Sequence, residues 1–122
     1  MSFSINRRRF LQTASASLAL ASLGAEGADV VQKRRRVALI GTGWYGKSDL
    51  FRLMQVCPVE VVGLCDPDKK LLAEASELIQ ARGQKPPRTY GDYRELLQKE
   101  QPELVLIGTP DHWHALQMID AV

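Results

Sequence analysis

Three glycines at fixed spacing, in Gly41-Thr42-Gly43-Trp44-Tyr45-Gly46, are followed by an acid, Asp66, 20 residues after the last of them. The chemistry open to such a set is recognition of a dinucleotide. The first glycine permits a tight turn, the second lets the backbone approach a diphosphate, and the third lets a helix pack closely on the preceding strand. The diphosphate then meets the positive amino end of the helix dipole. Asp66 has the position to accept hydrogen bonds from the adenosine ribose hydroxyls. A carboxylate there repels a 2′-phosphate, which favours NAD over NADP, while Lys69 and Lys70 keep NADP open. Read as structure alone, the same residues are a glycine-rich turn with Asp66 capping the next helix.

A second candidate is Gly108-Thr109-Pro110-Asp111-His112-Trp113-His114. His112 and His114 suggest a metal, but an i, i+2 pair at a helix start diverges and no third ligand stands at a typical spacing, so no metal is expected. The remaining readings are helix-start histidines with a structural role and a contact to cofactor or substrate. Cys57 and Cys65 flank an extended run that would hold them on the order of 20 Å apart at ~3.3 Å per residue, too far for a bridge. They are expected as free thiols.

The elements that must carry these residues alternate strand and helix. Val37–Ile40 is a short apolar run ending in glycine, as a buried parallel strand should. Gly43 to Gln55 carries Leu50, Leu53 and Met54 at helical spacing, and Val59–Cys65 is a second strand. Asp68 to Arg82 sets Leu71, Leu72, Ala75, Leu78 and Ile79 on one helical face, closed by Gly83. A brief strand at Arg88–Tyr90 follows, then a helix from Tyr93 to Lys99 capped by Asp92. Leu104–Ile107 is a fourth strand, and Pro110 opens a last helix containing Ala115, Leu116, Met118 and Ile119. The alternation predicts an α/β fold, a Rossmann-like doubly wound parallel sheet of about four strands. Such a sheet normally continues further, so the 122 residues read as the front part of a longer protein. Both candidate loops then share the carboxyl edge, where open α/β sheets bind ligands.

Charge divides the chain. Residues 1–36 hold seven Lys/Arg against two acids, whereas 37–122 hold nine against twelve. A nucleic-acid-binding domain carries its positive charge on the folded body, and here the body is acidic, so nucleic acid is not an expected partner. The basic end belongs to a leader: a positive stretch, then a short Ala/Ser/Leu-rich run from Thr13 to Ala25, too short for a membrane span. Arg7-Arg8-Arg9-Phe10-Leu11-Gln12 resembles the twin-arginine export consensus, departing from it at Asn6 and Gln12. Ala19-Leu20-Ala21 and Ala25-Glu26-Gly27 both offer a cleavage site. The expected organisation is a signal peptide over 1–30, a basic linker over 31–36 and a nucleotide-binding domain over 37–122.

From Arg35 to Val122 the sequence resembles the amino-terminal domain of the Gfo/Idh/MocA oxidoreductase family. The resemblance rests on the glycine loop, on Gly63-Leu64-Cys65-Asp66-Pro67-Asp68, on Tyr90–Leu97 and, most specifically, on Val105–Ala115. It implies an NAD(P)-dependent enzyme, a homo-oligomer when full length, that moves a hydride between nicotinamide and a sugar, cyclitol or other polyol. Thr109 and Pro110 would line the cofactor cleft, and His114 matches a recurrent position of that loop. The cofactor-binding set is thus Gly41, Thr42, Gly43, Trp44, Tyr45, Gly46, Asp66, Thr109, Pro110 and His114. The family's Glu-Lys-Pro motif normally follows the helix on which this sequence stops, so no residue here takes a catalytic role. With the twin-arginine-like leader, the resemblance is to the exported, periplasmic branch, the export machinery being a further partner. Alternatives are an NAD-dependent glycosidase of the same superfamily and a nucleotide-binding fragment without turnover.

Overall fold

The structure is a computed structural model and describes residues 33–122. The expected leader, 1–30, lies outside the described residues. Four strands, β1 (Arg35–Ile40), β2 (Val59–Cys65), β3 (Arg88–Tyr90) and β4 (Leu104–Ile107), alternate with four helices: α1 (Trp44–Val56), α2 (Lys69–Ala81), α3 (Tyr93–Glu100) and α4 (Asp111–Ala121). All strand pairs are parallel and the order is β3-β2-β1-β4. The order reverses between β1 and β4, so the crevice above their carboxyl ends is the topological switch point of a Rossmann-like sheet.

Two apolar layers sandwich the sheet. Val37 and Leu39 of β1 meet Leu50 of α1 and Leu72, Ala75 and Ile79 of α2 on one face. Ala38 and Ile40 face the other way, toward Tyr90, Tyr93 and Leu96. The alternation of β1 is the period-2 pattern of a strand buried on both faces. In β2 the register slips by one residue, Val37 pairing with Val61 and Ala38 with Gly63. Val62 is thereby left out of the ladder, and Val61 and Leu64 bury on the same face. Gly63 leaves room for α3: a Cβ there would stand 3.1 Å from Leu96.

The helix signals act as their chemistry predicts. Asp68 and Asp92 accept hydrogen bonds at 2.9 Å from the N–H groups of Lys70 and Arg94. Gly83, at φ +84°, closes α2 with its N–H on the Gln80 carbonyl.

Two expectations are corrected. The domain begins before residue 37, because Arg35 and Arg36 are strand rather than linker. The Arg35 N–H donates to Pro58 O, the Arg36 N–H to Glu103 Oε2, and the two side chains pair with Glu103 and Glu100. On α2, Leu78 is 39% exposed and Leu71 half-buried, because the helix presents Leu72, Ala75 and Ile79 to the sheet. On α4, Leu116, Met118 and Ile119 face outward, and Gln117 is the buried position. Among the described residues, no helix is long and apolar enough to cross a membrane.

Candidate functional site

The site grows from the end of β1. Gly41 turns the chain at φ +90°, a conformation a side chain disfavours, and its N–H donates to Cys65 O at 2.8 Å. The next amide, Thr42 N–H, donates to Asp66 Oδ2 at 2.9 Å, and the Asp68 N–H donates to Asp66 Oδ1 at 2.9 Å. Each carboxylate oxygen keeps a further lone-pair direction for a ligand. The Asp66 N–H itself donates to Tyr90 O. Asp66 is thus fixed by the glycine loop, the start of α2 and β3 together.

Close backbone packing explains two further glycines. A Cβ on Gly46 would lie 2.1 Å from Gly41 O, and one on Gly108 would lie 2.6 Å from Gly46 Cα. The head of α1 is therefore pressed against both the β1 turn and the end of β4, whose Gly108 N–H donates to Ile40 O at 2.8 Å. Gly46 was legible from the motif. Gly108 was not assigned a role, although a glycine closing an apolar strand is the available signal.

Beyond Gly108 the loop is clamped from α4. Thr109 Oγ1 donates to Gln117 Oε1 at 2.6 Å, and Gln117 is 4% exposed. His114 Nε2 bonds the Thr109 carbonyl; a carbonyl only accepts, so this nitrogen carries the hydrogen. Across the cleft, Tyr93 OH donates to Asp120 Oδ2 at 2.7 Å, and the Arg94 guanidinium pairs with the same oxygen at 3.3 Å. The bond to Asp120, then burial, raises the Tyr93 phenol above its ordinary pKa.

These parts enclose a cleft of about 700 Å³ at the switch point, within the range of small-molecule sites. Of the sequence-derived set, Gly41, Gly43, Asp66, Thr109 and Pro110 line it. Thr42 and Gly46 are buried behind it, and His114 acts on it through the Thr109 carbonyl. Trp44 and Tyr45 stand outside the lining, 79% and 57% exposed, edge to face at 5.7 Å. Tyr93, Arg94, Trp113 and Gln117 also line the cleft; the first three stand inside motifs that the sequence offered, but none of the four was given a role there. Their signal is position alone: Tyr93, Arg94 and Trp113 lie in the first turn of a helix that opens at this edge, and Gln117 lies one turn further along α4.

A dinucleotide fits what is present. Gly43 lines the cleft, and a Cβ added there would project into open space, leaving the backbone free to be approached. No side chain caps α1 and its first turn holds no acid, so its leading N–H groups suit a diphosphate. Asp66 offers its remaining lone pairs on the cleft wall. Cys65 on the same wall is no nucleophile: burial, then Asp66 and Asp92, push its thiol up to about 12. Among the described residues no three His, Cys, Asp or Glu side chains come together as a metal site.

Comparison with known proteins agrees with this geometry. Residues 35–122 match the family model described as "Oxidoreductase family, NAD-binding Rossmann fold". A "Glycosyl hydrolase family 109 protein" of Stenotrophomonas maltophilia (strain K279a) is 35% identical over 98% of this chain and 28% of its own length. An "Alpha-N-acetylgalactosaminidase" of Shewanella oneidensis is 33% identical over 71% of this chain and 20% of its own. Among solved structures, myo-inositol dehydrogenase from Lactobacillus casei in complex with NAD(H) and myo-inositol superposes with a TM-score of 0.63 at 26% identity, covering 72% of this chain and 25% of that one. The chain spans under a third of the length of each of these relatives.

Proposed function

Because the chain belongs to the Gfo/Idh/MocA oxidoreductase family through its NAD-binding Rossmann domain, we propose that it is the cofactor-holding part of an NAD-dependent oxidoreductase acting on a sugar, cyclitol or related polyol. The observation that carries this reading is the uncapped head of α1 and Asp66 standing on one cleft at the switch point. The myo-inositol held by the Lactobacillus casei relative supports the substrate class. NAD, when bound, supplies the acceptor for a hydride from a substrate carbinol carbon.

The residues of this chain bind and orient. The backbone of Gly43, Trp44 and Tyr45 would hold the diphosphate, and Asp66 would take the ribose hydroxyls and exclude a 2′-phosphate. Gly41 and Gly46 shape the loop, and Thr42 contributes through the amide that steadies Asp66. Thr109 and Pro110 form the facing wall, with His114 holding the Thr109 carbonyl.

A second reading is an NAD-dependent glycosidase, favoured by the 35% identity to a glycosyl hydrolase family 109 protein across nearly all of this chain. One pair of assays on the purified protein separates the two. Oxidoreduction produces NADH from a polyol. Transient oxidation and re-reduction releases free sugar from an aryl glycoside with no net NADH. Neither product from a protein that binds NAD would leave a nucleotide-binding role without turnover.

The leader supports export to the periplasm by the twin-arginine route, which carries folded proteins. A tightly held NAD(H) could then travel inside the enzyme and be recycled in place. Nucleotide in acid-released extracts of the native protein is the expected result, and its absence would remove the retained-cofactor reading. Replacing Arg7 and Arg8 with lysine should leave the protein in the cytoplasm.

A further inference from the structure

We infer that Trp113 is the stacking platform for the adenine ring of the cofactor, a role that rests on the NAD reading of the same cleft. Asp66 fixes where the adenosine ribose sits, and the base is bonded directly to that ribose. Adenine must therefore lie in the cleft that Asp66 lines. Trp113 is the tryptophan on that lining; Trp44, the chain's other one, stands outside it. Pro67 and Leu71 supply apolar surface beside Asp66, and Trp113 adds a large aromatic face to the same cleft.

Trp113 is also held still. Its N–H donates to Pro110 O at 3.0 Å, and the flanking residues His114 and Gln117 are both bonded to Thr109. The first turn of α4 is thus locked to the loop after β4, and the indole is anchored on a rigid element. The residue is nonetheless 48% exposed, its ring meeting only His112 among the aromatic rings of the described residues, tilted at 5.6 Å, so the rest of its surface is open to a ligand rather than consumed by the core. A half-exposed indole on a locked turn, lining the same cleft as Asp66, has the chemistry of a base-stacking site. An aromatic face recognises any purine, so Trp113 contributes affinity while Asp66 selects among phosphate patterns at the ribose.

The test is titration calorimetry on the purified protein with ADP-ribose, which carries the adenosine half, and nicotinamide mononucleotide, which does not. Trp113→Ala should weaken ADP-ribose by about tenfold or more, the scale of a lost base–aromatic stack. Trp113→Phe should recover most of that loss, and the affinity for nicotinamide mononucleotide should be unchanged in both variants. In Trp44→Phe, where Trp113 is the remaining indole, ADP-ribose should change the tryptophan emission and nicotinamide mononucleotide should not. Wild-type affinity for ADP-ribose in Trp113→Ala, or an emission change with nicotinamide mononucleotide alone, would overturn the assignment. A wild-type protein that binds no ADP-ribose would remove the adenosine site itself, and the platform with it.

Discussion

Asp66 is the residue on which the loop and the ligand site both depend, since backbone amides occupy one direction of each of its oxygens. Its substitution should therefore register before any cofactor is added. Thr42 is fully buried, so Asp66→Ala strands the Thr42 N–H without a partner, at a cost of about 1–3 kcal/mol in the free protein. Asp66→Asn keeps the volume but turns an amide nitrogen toward one of the two donors, and should lose part of that amount. Urea denaturation of the nucleotide-free variants checks the ordering. Equal midpoints for Asp66→Ala and wild type would reduce Asp66 to a ligand contact. At this scale the sequence was legible where a motif prescribes a backbone, as at Gly41, Gly46 and Asp66. It assigned no role to Arg94, Trp113 or Gln117, although the first two stand in quoted motifs, because membership of the cleft wall follows from which helix turn faces the switch point. Spacing also led to Trp44 and Tyr45 as cofactor contacts, yet their rings stand off the lining while their backbone opens α1.

Elements were legible where their ends carry local chemistry. Asp68, Gly83 and Asp92 each announce a helix boundary through a side chain or a conformation that acts within a few residues. What stayed hidden depends on partners far along the chain. The start of β1 looked like a basic linker because its acceptor, Glu103, is 67 residues away from Arg36. Gln84 is a similar case: its side chain accepts from Val61 N–H and donates to Val59 O, standing in for a strand beside the part of β2 that β3 is too short to reach. Glu103 makes the β1–β4 junction sensitive to acid. The Arg36 amide, helped by the Arg35 charge, holds its carboxyl below the usual 4.5. A depressed acid contributes stability that is fully present above its unfolded pKa and lost as pH falls through the folded one. Glu103→Gln should therefore be less stable than wild type at neutral pH, and the gap should close as pH falls below about 4.5. Denaturation midpoints measured across that range check it; a gap that stays constant would mean the bond to Arg36 carries no charge dependence.

Over the whole of the described domain, apolar surface is distributed unevenly. The layers around β1 are closed, with Val37, Ala38 and Leu39 fully buried, whereas the flank beyond β4 is open. β4 pairs only with β1 and stands at the sheet edge, with Leu104 42% exposed. Beside it α4 turns Met118 and Ile119 outward at 60% and 72% exposure. An unpaired edge next to exposed aliphatic side chains is a template for association, because it offers unmet backbone hydrogen bonds and apolar area together. The 122-residue chain on its own should therefore self-associate, its apparent mass rising with concentration in light scattering. Charge on the helix should relieve this without touching the nucleotide cleft, since neither Met118 nor Ile119 is on its lining. Met118→Lys with Ile119→Lys is expected to shift the species toward monomer, while a proline at Val105 would test the strand edge separately. A wild-type chain that runs as a monodisperse monomer and melts cooperatively at high concentration would show that this flank is not sticky, and that the two closed layers around β1 suffice for a stable fold.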